Sequence, residues 1–185
     1  MSDYISGRAM STRYPVEVIR SSRRIKTVSA RIVEGVIRVR IPSWMSADDE
    51  TTYVDDIVRR IEQKRRSNSV DLESRARRLA EKFDLPTPDS IRWVSNQNQR
   101  WGSCTISSRE IRISDRLVDV PPWVLDHVII HELAHLVVPD HSAEFDSLLA
   151  RNPLSERAIG YLMALTDRVA DRGPAATPAQ PAQAV

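Results

Sequence analysis

Three of the chain's four histidines stand in one short register, with His131 and His135 four residues apart and His141 six further on. Residues four apart on a helix lie one turn apart on the same face, so the first two can chelate a single metal ion. A zinc ion with three protein ligands keeps its fourth position open to water, the arrangement of a catalytic site and not of a structural one. Glu132 directly follows the first histidine and is rotated to the flank of that face. There its carboxylate can take a proton from metal-bound water and hand it to a leaving amine. The chemistry on offer is metal-assisted hydrolysis, with His131, His135 and His141 as ligands and Glu132 as base. At ordinary His and Glu usage a chance His-Glu-x-x-His in such a chain is roughly a one-in-a-few-hundred event. The third histidine makes coincidence rarer still.

The segment that must carry these residues reads as a buried helix. Asp119 is a candidate N-cap, and Pro121 and Pro122 suit the first helical positions, where no amide donor is needed. From Trp123 to Val137 apolar residues surround most of the circumference, which points to a helix packed inside a core. Pro139 stops it. The chain must then turn back through Val138-Pro139-Asp140, which can return His141 to the ligand face. Histidines within so apolar a helix need partners, and a metal supplies them.

These residues also carry a resemblance. His131-Glu132-Leu133-Ala134-His135-Leu136, followed by Asp140-His141-Ser142 and Phe145 and preceded by Arg100-Trp101-Gly102-Ser103-Cys104, resembles the YgjP-like metallopeptidase family. That is a zincin-type group allied to the SprT-like proteins. Arg20-Ser21-Ser22-Arg23-Arg24 and the stretch Gly35 to Pro42 are similar to the family's N-terminal half. The resemblance implies a zinc-dependent peptidase acting on peptides or proteins, with His131, His135 and His141 holding Zn2+ and Glu132 as catalytic base. In two places the chain departs from the pattern. Asp146 follows Phe145 where the family commonly has a large aromatic, and Val138 stands where a metzincin has glycine.

Other residues near the motif have weaker claims. His127, four residues before His131, falls roughly on the metal face and could hydrogen-bond substrate or a zinc-bound oxyanion, or merely line a cleft. Tyr161, on a later helix, is a fainter candidate for the same task. Cys104 reads as a small buried hydrophobe in preference to a thiol that meets the metal.

A length of 185 residues allows one domain with elaborations and a real core. A single cysteine excludes an internal disulfide framework. No apolar run approaches a membrane span and the first residues lack an apolar signal core, so a cytoplasmic protein without membrane attachment is expected. The net charge of +2 is unevenly spread: 20 Lys and Arg against 14 Asp and Glu in the first 100 residues, 7 against 11 thereafter. A basic half could face nucleic acid, as in an SprT-like protein, but no nucleic-acid module accompanies it and a solvated face is the simpler reading. A second alternative is a zinc-stabilised binding module without catalysis, in which His127 or Glu144 would close the site as a fourth ligand.

The rest of the chain supplies an α+β frame of zincin-like type, with the active-site helix beside a small sheet. Residues 1–13 read as a flexible lead-in. Residues 14–90 hold a strand at Val16–Arg20, a β-hairpin from Thr27 to Ile41 turning at Gly35, and helices at about Ala47–Arg66, capped by Ser46, and Val70–Phe83. Residues 91–171 form the metallopeptidase core, with strands at Ile91–Ser95 and Glu110–Ser114 and helices at about Ala143–Ala150 and Ser155–Val169. The region Trp101–Ser114 could hold an extended peptide by strand addition. The Pro/Ala/Gln-rich segment 172–185 reads as a disordered tail.

Overall fold

The structure, a computed structural model, describes residues 15–23, 26–97 and 99–170. The lead-in at 1–13 and the tail at 172–185 lie outside these. The chain divides after Glu62 into two compact units. The sequence boundary at residue 90 falls inside the second unit, where the second helix packs with that unit's core.

In the first unit, β1 (Val16–Ser21), β2 (Ser29–Val33) and β3 (Val36–Pro42) form a sheet in the order β1-β3-β2. β2 and β3 are antiparallel about a two-residue turn, Glu34 and Gly35, both with positive φ (51° and 78°). That is the backbone demanded by the tight hairpin turn whose twist matches the strands, and glycine adopts it without strain. β1 joins the far side of β3 in parallel register, Val18 opposite Val39. Ile37, Val39 and Ile41 alternate along β3 onto one fully buried face, and Val58 of α1 (Ala47–Ser67) covers them. Ser46 caps α1 as expected, its hydroxyl accepting from the Asp49 amide at 3.1 Å.

The second unit is built around α3 (Pro122–Ala134). α2 (Leu72–Phe83) packs along it, with α5 (Ser155–Ala170), α4 (Ala143–Leu149) and a sheet completing the surround. This sheet has the order β4-β6-β5: β4 (Ser90–Val94) is parallel to β6 (Glu110–Ser114), and β5 (Gly102–Thr105) is antiparallel to it at the edge. β5 was read from sequence only as part of a motif; four residues are too few for alternation to announce a strand. Val124, Leu125, Val128, Ile129, Ile130 and Leu133 of α3 are buried all round the helix, which confirms the core reading of its pattern.

Two details of α3 differ from the sequence reading. Asp119 does not cap it: Pro121 takes that position without a side-chain bond, while Asp119 ends a preceding 3-10 turn and pairs with Arg66 at 3.0 Å. The helix also stops at Ala134, five residues before Pro139, with His135 as its C-cap in helical conformation (φ −65°, ψ −17°). No described helix is long and apolar enough to cross a membrane.

Candidate metal centre

His131 lies in the last turn of α3 and His135 at its cap, so helical geometry stacks the two rings one turn apart, with centroids 4.9 Å from each other. The chain then leaves the helix in a tight turn held by the Val138 amide on the Ala134 carbonyl at 2.9 Å. His135 Nδ1 lies 3.1 Å from the Val138 carbonyl. A carbonyl can only accept, so Nδ1 carries the proton and Nε2 keeps its lone pair free. Past Pro139 the turn brings His141 back, as the sequence anticipated, and its Nε2 stands 3.3 Å from Nε2 of His131.

One donor atom from each of His131, His135 and His141 lies within 4.8 Å of the others. Zinc–nitrogen bonds of about 2.0–2.1 Å at tetrahedral angles would set neighbouring ligand nitrogens about 3.3–3.4 Å apart. The His131–His141 spacing meets that value and the third donor lies within 4.8 Å, so these residues fit a metal ion. Neither His127 nor Glu144 belongs to this group, and the closed four-ligand alternative is without support among the described residues.

Burial favours the neutral, metal-binding form of two of these histidines. Burial, and then the neighbouring His135 and His141, push the His131 imidazole down to about 3, so it is neutral at ordinary pH. His135 is lowered too, chiefly by burial. Phe145 of α4, wholly buried, backs all three rings: it is stacked on His135 at 4.5 Å between centroids and meets His131 and His141 edge-on at 4.9 and 4.8 Å. Its sequence signal was that of an inward core residue, and only the return of the chain at 138–141 turns it into a platform for the histidines.

Glu132 is buried to 5% exposure and lines the same cleft of about 860 Å³. Burial raises its carboxyl to about 7, with the Arg100 guanidinium opposing. Its neighbour across the cleft is β5. A Cβ placed on Gly102 would come 2.5 Å from Oε1 of Glu132, so the carboxylate rests against bare backbone that only glycine leaves open. From sequence Gly102 allows either a close backbone approach or a plain turn or bulge; the structure shows the close approach, with Glu132 as the partner.

Of the weaker candidates, His127 lines the cleft, is 4% exposed, and its Nδ1 has no hydrogen-bond partner among the described residues. Tyr161 does not line it; its ring packs edge-on to Trp123 at 5.7 Å. Cys104 borders the cleft, but burial and the Glu132 carboxylate push its thiol up to about 11. It is a thiol and not a thiolate, which fits the inert reading.

The class these features define is a metal-dependent hydrolase. Residues 24–152 match the family described as YgjP-like, metallopeptidase domain, and the chain belongs to that family. No curated protein matches the chain. Two solved structures are similar to it at 18% identity. One is the crystal structure of the metallopeptidase zymogen of Pyrococcus abyssi abylysin, with a TM-score of 0.43 over 55% of this chain and 90% of that one. The other is the metallopeptidase zymogen of Methanocaldococcus jannaschii jannalysin, with a TM-score of 0.44 over 54% of this chain and 96% of that one.

Proposed function

We propose that the chain is a zinc peptidase in which His131, His135 and His141 hold the metal and Glu132 carries the protons of peptide-bond hydrolysis. The observation that carries this reading is the convergence of three imidazoles beside a buried carboxylate in one cleft. When bound there, zinc would supply Lewis acidity toward the scissile carbonyl and lower the pKa of water toward neutrality. Glu132 has a carboxyl balanced near neutral pH, so its oxygens can accept a proton from water and release it to the leaving amine, as a base matched to its working pH should. The bare backbone at Gly102 leaves the room that carboxylate occupies.

β5 forms the outer edge of its sheet and borders the cleft along Gly102, Ser103 and Cys104. An extended peptide pairing with this edge would lie across the histidines, its backbone bound without regard to side chain. His135 Nδ1, tied to the Val138 carbonyl, keeps its ring turned to the centre throughout.

Metal content by elemental mass spectrometry and cleavage of a quenched fluorescent peptide mixture test the reading together. Wild type should carry one zinc per chain and cut peptide. His141→Ala should lose most of the metal. Glu132→Ala should keep zinc while losing at least about a hundredfold in rate. A chain that takes up no zinc, or a Glu132→Ala variant that still cuts, overturns the assignment.

A further inference from the structure

Beyond the reacting groups, one wall of the cleft is apolar and open. Ile159, Leu162 and Met163 lie three and four residues apart on α5, so they share one face, and all border the cleft. Ile106, on the short turn after β5, borders it as well. Of these, Met163 is 64% exposed, Ile106 45% and Ile159 38%. Single exposed apolar side chains are ordinary, but several gathered on one concavity signal a surface meant to be covered. Val128 and Leu149, both buried, extend the same apolar lining. The acidic and basic residues at the cleft are Arg100, Glu132 and Asp146, none of which comes from α5 or the Ile106 turn. His127 lines the cleft as well. Apolar walls beside a small number of polar groups are the usual makeup of a ligand subsite.

We propose that this wall is the specificity subsite of the enzyme and receives a hydrophobic side chain of the peptide beside the bond to be cut. The inference rests on the peptidase reading for its ligand class, since a peptide is the only ligand that brings a side chain and a backbone to one cleft together. Leu, Ile, Met and Phe side chains bury their surface against Ile106, Ile159 and Met163. Asp, Glu and Ser leave that surface wet or lose their own hydration.

Two readouts separate the proposal from the reading beneath it. In the first, zinc-loaded full chain digests a randomised peptide mixture, and the cut sites are mapped by mass spectrometry. The expected result is enrichment of Leu, Ile, Met or Phe at one position next to the cut, with kcat/KM about tenfold or more above the matched Asp peptide. Met163→Glu, at an exposed position that tolerates charge, should reduce that ratio several-fold, and Ile159→Ser should do so independently. In the second, the Glu132→Ala chain binds fluorescein-labelled Leu and Asp versions of one peptide, measured by anisotropy without turnover. Cleavage with no side-chain preference, or a preference unmoved in both variants, overturns the subsite and leaves the peptidase standing. Selective binding that Met163→Glu abolishes, without any cleavage by wild type, supports the subsite and removes the peptidase reading. Neither cleavage nor selective binding removes both.

Discussion

Glu132 and Gly102 work as a pair: one is the carboxylate, the other the absence of a side chain that lets it sit there. Since a Cβ at Gly102 would reach within 2.5 Å of Oε1, Gly102→Ala must displace the carboxylate or bend β5. The expected outcome is a loss of about a hundredfold in kcat, the size of effect that a displacement of about 1 Å produces at a catalytic group. Zinc content should be unchanged, because no ligand moves. A Gly102→Ala enzyme with normal kcat would show that Glu132 needs no such support. Phe145 stands in a similar relation to the three histidines. Its replacement by Leu should weaken zinc binding about tenfold to a hundredfold, as loss of a supporting contact does, read by competition with a chelating dye. Phe145→Ala should cost about 3–5 kcal/mol of stability as well, read by denaturant unfolding.

At the scale of elements, α3 must be held at a fixed distance from its neighbours for its last turn to present two ligands. Arg75 of α2 does part of this, bonding Asp126 at 2.6 Å and the Pro122 carbonyl at 2.9 Å, at the start of α3. Arg75→Ala should lower stability by about 1–2 kcal/mol, since a partly buried, charge-assisted pair is worth more than a surface one. Urea unfolding of the two proteins measures it, and equal midpoints would dismiss the contact. α2 in turn depends on its cap: the Asp71 carboxylate accepts from the Ser74 amide at 3.0 Å, and hydrogen bonding from the Ser74 hydroxyl, then from this amide, holds the carboxyl below its ordinary value. A carboxyl lowered in the folded state stabilises above its unfolded pKa and loses that contribution as pH falls through the folded one. The gap in Tm between wild type and Asp71→Ala should therefore be full at neutral pH and close below about pH 4. A gap independent of pH would place the effect in helix propensity instead.

For the whole molecule, the histidines proposed as metal ligands also set the acid limit of the metal-free chain. Between pH 6.5 and 3 the unfolded chain protonates at His131 while the folded chain refuses the proton, so acid favours unfolding. Glu132 acts in the opposite sense from pH 7 to 4.5, where the folded chain holds a proton that the unfolded one releases. Glu132 offsets part of this until about pH 4.5; below that the histidines, with His127 and His135 also lowered by burial, and the Asp71 cap all favour unfolding. Chelated wild type should thus lose Tm more steeply below about pH 4.5 than above it, whereas chelated Glu132→Ala should fall steeply already from about pH 6.5. Coincident profiles would refute the buried carboxyl. At neutral pH, adding zinc should raise Tm in proportion to the logarithm of free metal, because the ion binds the folded cluster and not the unfolded chain.

The convergence of His131, His135 and His141 was legible from residue type and spacing alone, because helical periodicity is local and Pro139 announces the turn. The burial of α3, the hairpin at Glu34–Gly35 and the cap at Ser46 were legible for the same reason: each rests on residues within a few positions of one another. What needed the tertiary structure was every contact made across distant parts of the chain. β1 pairs with β3 over a gap in sequence, α2 packs along α3, and the short strand β5 exists only because β6 pairs with it. Gly102 against Glu132, Phe145 behind the histidines, and the apolar wall of α5 facing the cleft follow from that packing. Periodicity states which side chains seek burial or a ligand; only close packing decides which residue, thirty positions away, they meet.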